Sequence, residues 1–129
     1  VKVSDEDLHL KGLYGEPEFH ARAMLDRMEN GMVVLTLGEG GSQIITDSHH
    51  LKQDVIVPPV MGDTVGAGDT YFSALVAYLL KQDALSPQAS PDMLAAALKF
   101  GAMAASLNVE KVGCHPPTSQ QVTDALTKI

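Results

Sequence analysis

The sequence predicts an α/β fold in which helices cover one small β-sheet. Short runs of β-branched and aliphatic residues lie in the first sixty positions, whereas long stretches with helical periodicity fill the second half. A glycine-rich segment, Gly62–Gly68, separates the two parts. A chain of 129 residues with 45% apolar residues is sized for one domain with a modest core.

The first part of the chain predicts a strand end followed by two helices. Val1–Val3 has the residues of a strand, and Ser4 with Asp7 forms the pattern of a capping box for a short helix, Asp5–Lys11. A second helix is expected over Pro17–Glu29, because proline suits the first helical turn. Its expected buried stripe consists of Phe19, Ala23, Met24 and Met28.

The central part predicts a β-hairpin and one further strand. Met32–Leu37 is a continuous apolar run typical of a buried strand, and Gly38–Gly41 supplies turn residues. Gln43–Thr46 is the expected hairpin partner, and Asp47–Gln53 is expected to be a polar connector. Val55–Val57 predicts a third strand, which two prolines stop.

Three helices are expected in the second half. One spans Ala67–Lys81, directly after the glycine-rich loop, with Phe72, Leu75, Val76 and Leu79 as its buried stripe. Ser90 caps an Ala- and Met-rich, largely buried helix that continues to about Leu107. Ser119 is expected to cap a last amphipathic helix that continues to Ile129.

Charge and composition restrict the kinds of partner and the cellular compartment that can be expected for this protein. The formal net charge of −7 disfavours nucleic acid and anionic membranes as partners. A single cysteine excludes an internal disulfide, and no apolar run approaches the ~20 residues of a membrane span. These features favour a cytoplasmic protein. The opening Val-Lys-Val, without methionine, suggests that further sequence precedes it.

The segment Asp63–Asp69 predicts an anion site. Gly66 and Gly68 flank Ala67, so that the backbone can approach a bound group closely. The loop continues into a helix, and the unpaired amides at a helix start carry about half a positive charge and favour phosphate. Asp69 lies in the first turn, where a carboxylate could take a proton from an attacking hydroxyl. The simpler alternative is an acid that stabilises a helix start after a glycine turn.

The fourteen residues from Asp63 to Val76 resemble the carboxyl-terminal signature of the ribokinase-like (PfkB) carbohydrate kinases at every position. The resemblance implies a three-layer α/β/α fold. Residues 1–129 would be the carboxyl-terminal nucleotide-binding and catalytic part of a single kinase domain, without its amino-terminal half and lid. It implies that Asp69 is the catalytic base and that Gly66, Ala67 and Gly68 form the anion hole.

Further positions carry the same resemblance. Residues 36–41 resemble the family's Thr-Leu-Gly-x-x-Gly segment, and an Ala-rich helix with the loop after it resembles the family's penultimate helix. The implied nucleotide contacts are Thr36, Gly38, Gly41 and Ala102. The implied site for a monovalent cation such as K⁺ consists of Asp63, Val65, Asn108, Lys111 and Gly113.

Ser4 and Asp7 lie where the family has an Asn-x-x-Glu motif near magnesium and phosphate. A capping box explains the same two residues equally well. The preceding Lys2 gives a Lys-x-Ser segment that favours a fructokinase-type member.

The resemblance implies ATP-dependent phosphorylation of a sugar hydroxyl, with ATP, Mg²⁺ and, where the cation site is used, K⁺ as cofactors. The expected partners are ATP and a small sugar, with homodimerisation through the missing lid as an option; neither nucleic acid nor membrane is expected. A chain that lacks half of the domain should be inactive alone. A nucleoside or vitamin-alcohol kinase and a non-catalytic nucleotide-binding module are the alternatives.

Other reactive side chains are expected to have structural roles. His49-His50 lies in the expected connector and should be a solvated turn rather than a metal pair. Cys114 has no obvious activating base and is expected to be a buried, inert thiol.

Overall fold

The computed structural model describes all residues, 1–129, which form four strands and five α-helices. The strands are β1 (Lys2–Ser4), β2 (Val33–Thr36), β3 (Ser42–Ile45) and β4 (His50–Gln53). The helices are α1 (Asp5–Leu10), α2 (Pro17–Asp26), α3 (Ala67–Lys81), α4 (Pro91–Val109) and α5 (Ser119–Leu126), and a short 3₁₀ turn spans Gly38–Gly40. None of the helices is both long and apolar enough to cross a membrane.

The four strands form one mixed sheet in the order β1-β2-β3-β4. β1 is parallel to β2, and β2 and β3 form the expected antiparallel hairpin, with Leu35 opposite Gln43. β4 pairs antiparallel with β3, with His50 opposite Ile45. The expected polar connector 47–53 therefore contains a strand.

The third strand expected at Val55–Val57 is absent, because that segment pairs with no other strand. β-branched residues favour extended backbone but cannot supply a hydrogen-bonding neighbour. β4, which precedes this segment in the chain, already pairs with the second edge of β3. The tight turn before β4 is fixed by Thr46, whose hydroxyl accepts from the amides of Ser48 and His49 at 3.3 and 3.0 Å.

Helices cover both faces of the sheet, which gives the expected three α/β/α layers. Val34 and Ile44 pack against α3 and α4 in one apolar cluster. Val33, Leu35 and Ile45 face the other way and pack against α1 and α2. Full burial of each such side chain stabilises the fold by about 1.5–3 kcal/mol.

The helices differ from expectation mainly in α2 and α5. Phe19 is 70% exposed and Ala23 is exposed as well, whereas Met24 and Met28 pack against the core as expected. The fully buried side chains of α2 are Ala21 and Leu25. Positions 21, 25 and 28 have the same helical spacing as the expected stripe, so periodicity alone does not decide which of the two stripes is buried. The last helix is capped by Thr118 rather than Ser119, because the Thr118 hydroxyl accepts from the amide of Gln121 at 3.2 Å. α2 and α5 also end earlier than expected, at Asp26 and Leu126.

The long helices α3 and α4 pack closely against each other. Gly101 allows this approach, since a Cβ on it would lie 3.0 Å from the carbonyl oxygen of Tyr71. α4 is buried along most of its length, as its Ala-rich sequence predicts. The pair thus forms a rigid support for the loop that precedes α3.

Candidate active site

The start of α3 presents backbone amides that have no partner in the chain. Gly66 is the N-cap residue and has a left-handed backbone (φ 76°). A Cβ at this position would lie 2.3 Å from Sγ of Cys114 and would force the thiol to move, so both the backbone and the space favour glycine. The amides of Gly66, Gly68 and Asp69 form no hydrogen bond within the chain. These three donors and the positive end of the helix form a site for an anion.

The loop before α3 is held by two polar side chains. The Asp63 carboxylate accepts hydrogen bonds from the amides of Val65, at 3.0 Å, and Gly113, at 3.2 Å. The fully buried side chain of Asn108 donates to the carbonyl of Val65 at 2.9 Å and accepts from the amide of His115 at 2.8 Å. The two side chains tie the glycine-rich loop to the loop after α4.

The residues expected at a cation site therefore lie together. Asp63, Val65, Asn108 and Gly113 are joined by the hydrogen bonds above, and the amide of Lys111 donates to the carbonyl of Asn108 at 3.2 Å. Carboxylate and carbonyl oxygens suit a hard cation, and each can accept a hydrogen bond and bind an ion through separate lone pairs. These are the residues that could hold a monovalent cation. The bridging role of the Asn108 side chain was not foreseen.

An open cleft of about 510 Å³ lies beside the start of α3. Its walls are the end of β1, the β2–β3 turn, the segment 54–61, the start of α3 and the second half of α4. Seven of the residues that sequence analysis selected line it: Ser4, Thr36, Gly38, Gly41, Ala67, Gly68 and Ala102. Positions far apart in the sequence thus meet at one cavity.

The walls of the cleft differ in chemistry. The α4 wall is mostly apolar, with Ala102, Ala105 and Val109, and Ser106 is its one polar residue. The walls at β1 and at the start of α3 are polar and present Ser4 and the backbone of Gly68. A ligand with a flat, largely apolar group and an anionic group matches this distribution.

Lys2 is the only lysine or arginine that lines the cleft. Its Nζ would lie 3.6 Å from a Cβ built on Gly68, which places the ammonium group at the helix start. Four carboxylates line the same cleft: Asp5, Glu6, Glu39 and Asp54. An anion bound here would therefore depend on Lys2, the free amides and an added cation for charge balance. The Lys-x-Ser pattern by itself does not predict that Lys2 lies at the start of α3.

The three expected functional carboxylates, Asp7, Asp63 and Asp69, lie outside the cleft lining, as does Gly66. Asp69 follows Gly68 directly, is exposed, and its carboxylate forms no hydrogen bond or ion pair. Asp7 closes the capping box, since the Ser4 amide donates to its carboxylate at 2.9 Å. That hydrogen bond is the main cause that holds the pKa of Asp7 below its usual range, with the Ser4 hydroxyl second.

The expectations for Cys114 and His50 need correction. Cys114 is exposed rather than buried, because it lies in an irregular loop after α4 whose neighbouring residues are mostly exposed as well. His50 lies in β4 rather than in a solvated turn. Its ring nitrogens contact Gln43 Oε1 at 2.6 Å and Arg22 Nη2 at 2.9 Å. Burial is the largest cause that lowers the pKa of His50.

Comparison with solved structures supports the ribokinase-like fold. Ribokinase from Giardia lamblia is 25% identical, with a TM-score of 0.78 over 98% of this chain and 43% of its own. The Arabidopsis thaliana ribokinase complexed with ribose and ATP is 25% identical, with a TM-score of 0.77 over 97% of this chain and 39% of its own. Escherichia coli phosphofructokinase-2 in complex with potassium, at 24% identity and a TM-score of 0.71, covers 98% of this chain and 40% of its own and shows the shared fold. The chain spans about two fifths of the length of these structures.

The sequence model of the pfkB family carbohydrate kinases matches residues 5–121. The match includes the β2–β3 turn, the glycine-rich loop and nearly all of the cleft lining. This chain belongs to the pfkB family of carbohydrate kinases.

Proposed function

We propose that the chain is the nucleotide-binding and catalytic part of a kinase that transfers phosphate from ATP to a hydroxyl of a small sugar. The observation that carries the proposal is the set of free amides at the start of α3, beside Lys2 and at the edge of the cleft. Oriented amides and an ammonium group are what the growing charge of a transferring phosphoryl group requires.

The cleft suggests how ATP would bind. The adenine would lie against the apolar α4 wall at Ala102, and the β2–β3 turn at Thr36 and Gly38 would contact the nucleotide. The terminal phosphates would then reach the amides of Gly66 and Gly68. This orientation of ATP matches the chemistry of the walls, because Lys2, the only cationic side chain in the lining, lies at the phosphate end.

Asp69 is the proposed general base. Its exposed carboxylate stands next to the anion site and has no competing partner, so that it can accept a proton from an acceptor hydroxyl. The hydroxyl oxygen would form a bond to the terminal phosphorus while the bond to the bridging oxygen breaks and ADP leaves. The proton passes from the hydroxyl to the Asp69 carboxylate.

Two metal ions are part of the proposal. Magnesium bound to the phosphates near Ser4 and Asp7 would neutralise phosphate charge beside the acidic wall. The Asp7 carboxylate keeps lone pairs free besides the bond to Ser4. A monovalent cation at Asp63 and Val65 would stabilise the glycine-rich loop. The potassium complex of the structurally similar phosphofructokinase-2 supports a search for such an ion here.

The test is an assay of the intact protein that carries these residues. ADP release with Mg-ATP is measured against a panel of aldoses, ketoses, keto-acid sugars and nucleosides. We expect release to depend on one sugar acceptor, with a ketose as the first choice from the Lys-x-Ser segment. ADP release that is independent of every acceptor, or a nucleoside as the preferred acceptor, would contradict the proposal. Titration with K⁺ in the same assay tests the cation site.

A further inference from the structure

Tyr71 connects three walls of the cleft. It lies in the second turn of α3 and is only 6% exposed. Its ring packs against Gly101 of α4, where a Cβ would lie 3.3 Å from Cζ of Tyr71. The ring therefore has a fixed position between α3 and α4, and its hydroxyl points at β3.

The Tyr71 hydroxyl has two polar neighbours. It forms a hydrogen bond with the hydroxyl of Ser42, and it lies 3.4 Å from the carbonyl oxygen of Leu98 in α4. Burial raises the pKa of Tyr71 to about 12, so that the hydroxyl keeps its proton at neutral pH. Ser42 is 4% exposed, and its side chain has no other partner. Loss of the tyrosine hydroxyl would leave a buried serine hydroxyl unsatisfied.

This hydrogen bond is the only one that joins the β2–β3 hairpin to α3. The hairpin otherwise meets the helices on this face through apolar side chains: Val34 and Ile44 lie in one cluster with Leu75 of α3 and Leu98 of α4. Apolar contacts are not directional, whereas a hydrogen bond between two buried hydroxyls fixes position within a few tenths of an ångström. Both Ser42 and Tyr71 also line the cleft.

We propose that the Tyr71–Ser42 hydrogen bond is a positioning contact that holds the Gly38–Gly41 turn at a fixed distance from the amides at the start of α3. The inference rests on the proposed function, in which one ATP molecule contacts both. Ser42 follows Gly41 directly, and Tyr71 lies two residues after Asp69. A shift of either would move one end of the nucleotide site relative to the other.

The experiment measures the dissociation constant of Mg-ATP for the intact protein by calorimetry, with Tyr71→Phe, Ser42→Ala and the double variant. We expect each single variant to weaken binding about fivefold, the effect of one ordinary hydrogen bond. The double variant should also lose about fivefold rather than about twenty-five-fold, because both changes remove the same contact. Tyr78→Phe is the matched control: Tyr78 lies in the same helix, its ring packs 5.1 Å from Phe100, and its hydroxyl has no partner.

Thermal midpoints are measured in parallel, since a purely structural bond would lower the midpoint and leave ATP affinity unchanged. ATP affinity within twofold of the parent for Tyr71→Phe overturns the proposal, as do additive losses or an equal loss in Tyr78→Phe. If Tyr71→Phe does not fold, the ATP affinity of Ser42→Ala alone decides whether the proposal holds. Binding of ATP without acceptor-dependent ADP release would refute the proposed function, while the affinities would still decide the positioning role. An intact protein that binds no ATP overturns both.

Discussion

Substitution of Gly66 by alanine should damage the protein through two separable effects. The residue has φ 76°, a conformation that costs an L-residue with a Cβ about 1–2 kcal/mol. The new Cβ would also lie 2.3 Å from Sγ of Cys114, well inside the ~3.5–4 Å of an ordinary contact. Because Cys114 is exposed and Sγ is the free end of its side chain, relief of this contact should cost about 1 kcal/mol, the lower end of the range for overpacking. Together the two effects predict a loss of about 2–3 kcal/mol in the free energy of unfolding.

The chain offers a control for each effect. Gly12 has φ +72° and no atom within 4 Å of its Cβ position, so Gly12→Ala should show only the backbone cost of about 1–2 kcal/mol. Cys114→Ala removes Sγ but leaves the Cβ of residue 114, 3.1 Å from the new Cβ, so the double variant Gly66→Ala/Cys114→Ala should recover most of the steric part of the loss. Gly68 has no positive φ, and its nearest neighbour is Lys2 Nζ at 3.6 Å. Gly68→Ala should therefore change stability little.

Urea unfolding of the intact protein measures these differences, and calorimetry with Mg-ATP measures the functional part. Gly66→Ala should also weaken Mg-ATP binding at least tenfold, because displacement of the loop moves the amides away from the phosphate. Equal losses of stability in Gly66→Ala and Gly12→Ala would refute the steric part of the reasoning. Unchanged ATP affinity in a folded Gly66→Ala variant would refute the assignment of the anion site.

Three further predictions concern charged groups. Asp69→Asn should lower turnover about 10²–10⁴-fold and leave Mg-ATP affinity within twofold, as measured by steady-state kinetics and calorimetry; undiminished turnover would exclude Asp69 as the base. Lys2→Met should weaken Mg-ATP binding about tenfold at low salt and less at high salt, whereas Lys11→Met, outside the cleft, should not. His50 has a lowered pKa in the fold, so the unfolded chain binds this proton first. The stability that neutral His50 contributes to the fold is therefore fully present above the unfolded pKa of about 6.5 and is lost as the pH falls below that value. The free energy of unfolding of the parent should fall between pH 7.5 and 5.5 more steeply than that of a His50→Asn variant. Equal slopes for the two proteins would contradict this prediction.

Prediction from sequence succeeded where the signal is local. The bounds of α3 match because a glycine loop, an acid in the first turn and a helical apolar stripe all occur within about twenty residues. The β2–β3 hairpin was likewise marked by a turn between two apolar runs. The capping box of Ser4 and Asp7 was correct because its residues lie three positions apart.

Prediction failed where partners are distant in the chain. β4 was missed because its polar residues are at the sheet edge, where pairing with β3 rather than side-chain pattern makes the strand. The bridging role of Asn108 depends on Val65, 43 residues earlier, and the contact between Ser42 and Tyr71 joins residues 29 positions apart. No local pattern marks such pairs.

The sequence by itself determined the family and the helix start with free amides, because a helix start with glycines needs only neighbouring residues to expose its amides. The tertiary structure alone decided that Thr36, Gly38 and Ala102 meet the start of α3 at one cleft. It also placed Lys2 there as the only lysine or arginine in the lining. It also decided which side chains hold the loop. Charge balance and shape in a cleft depend on several elements at once, and their relative placement is set by packing of the two apolar clusters against the sheet.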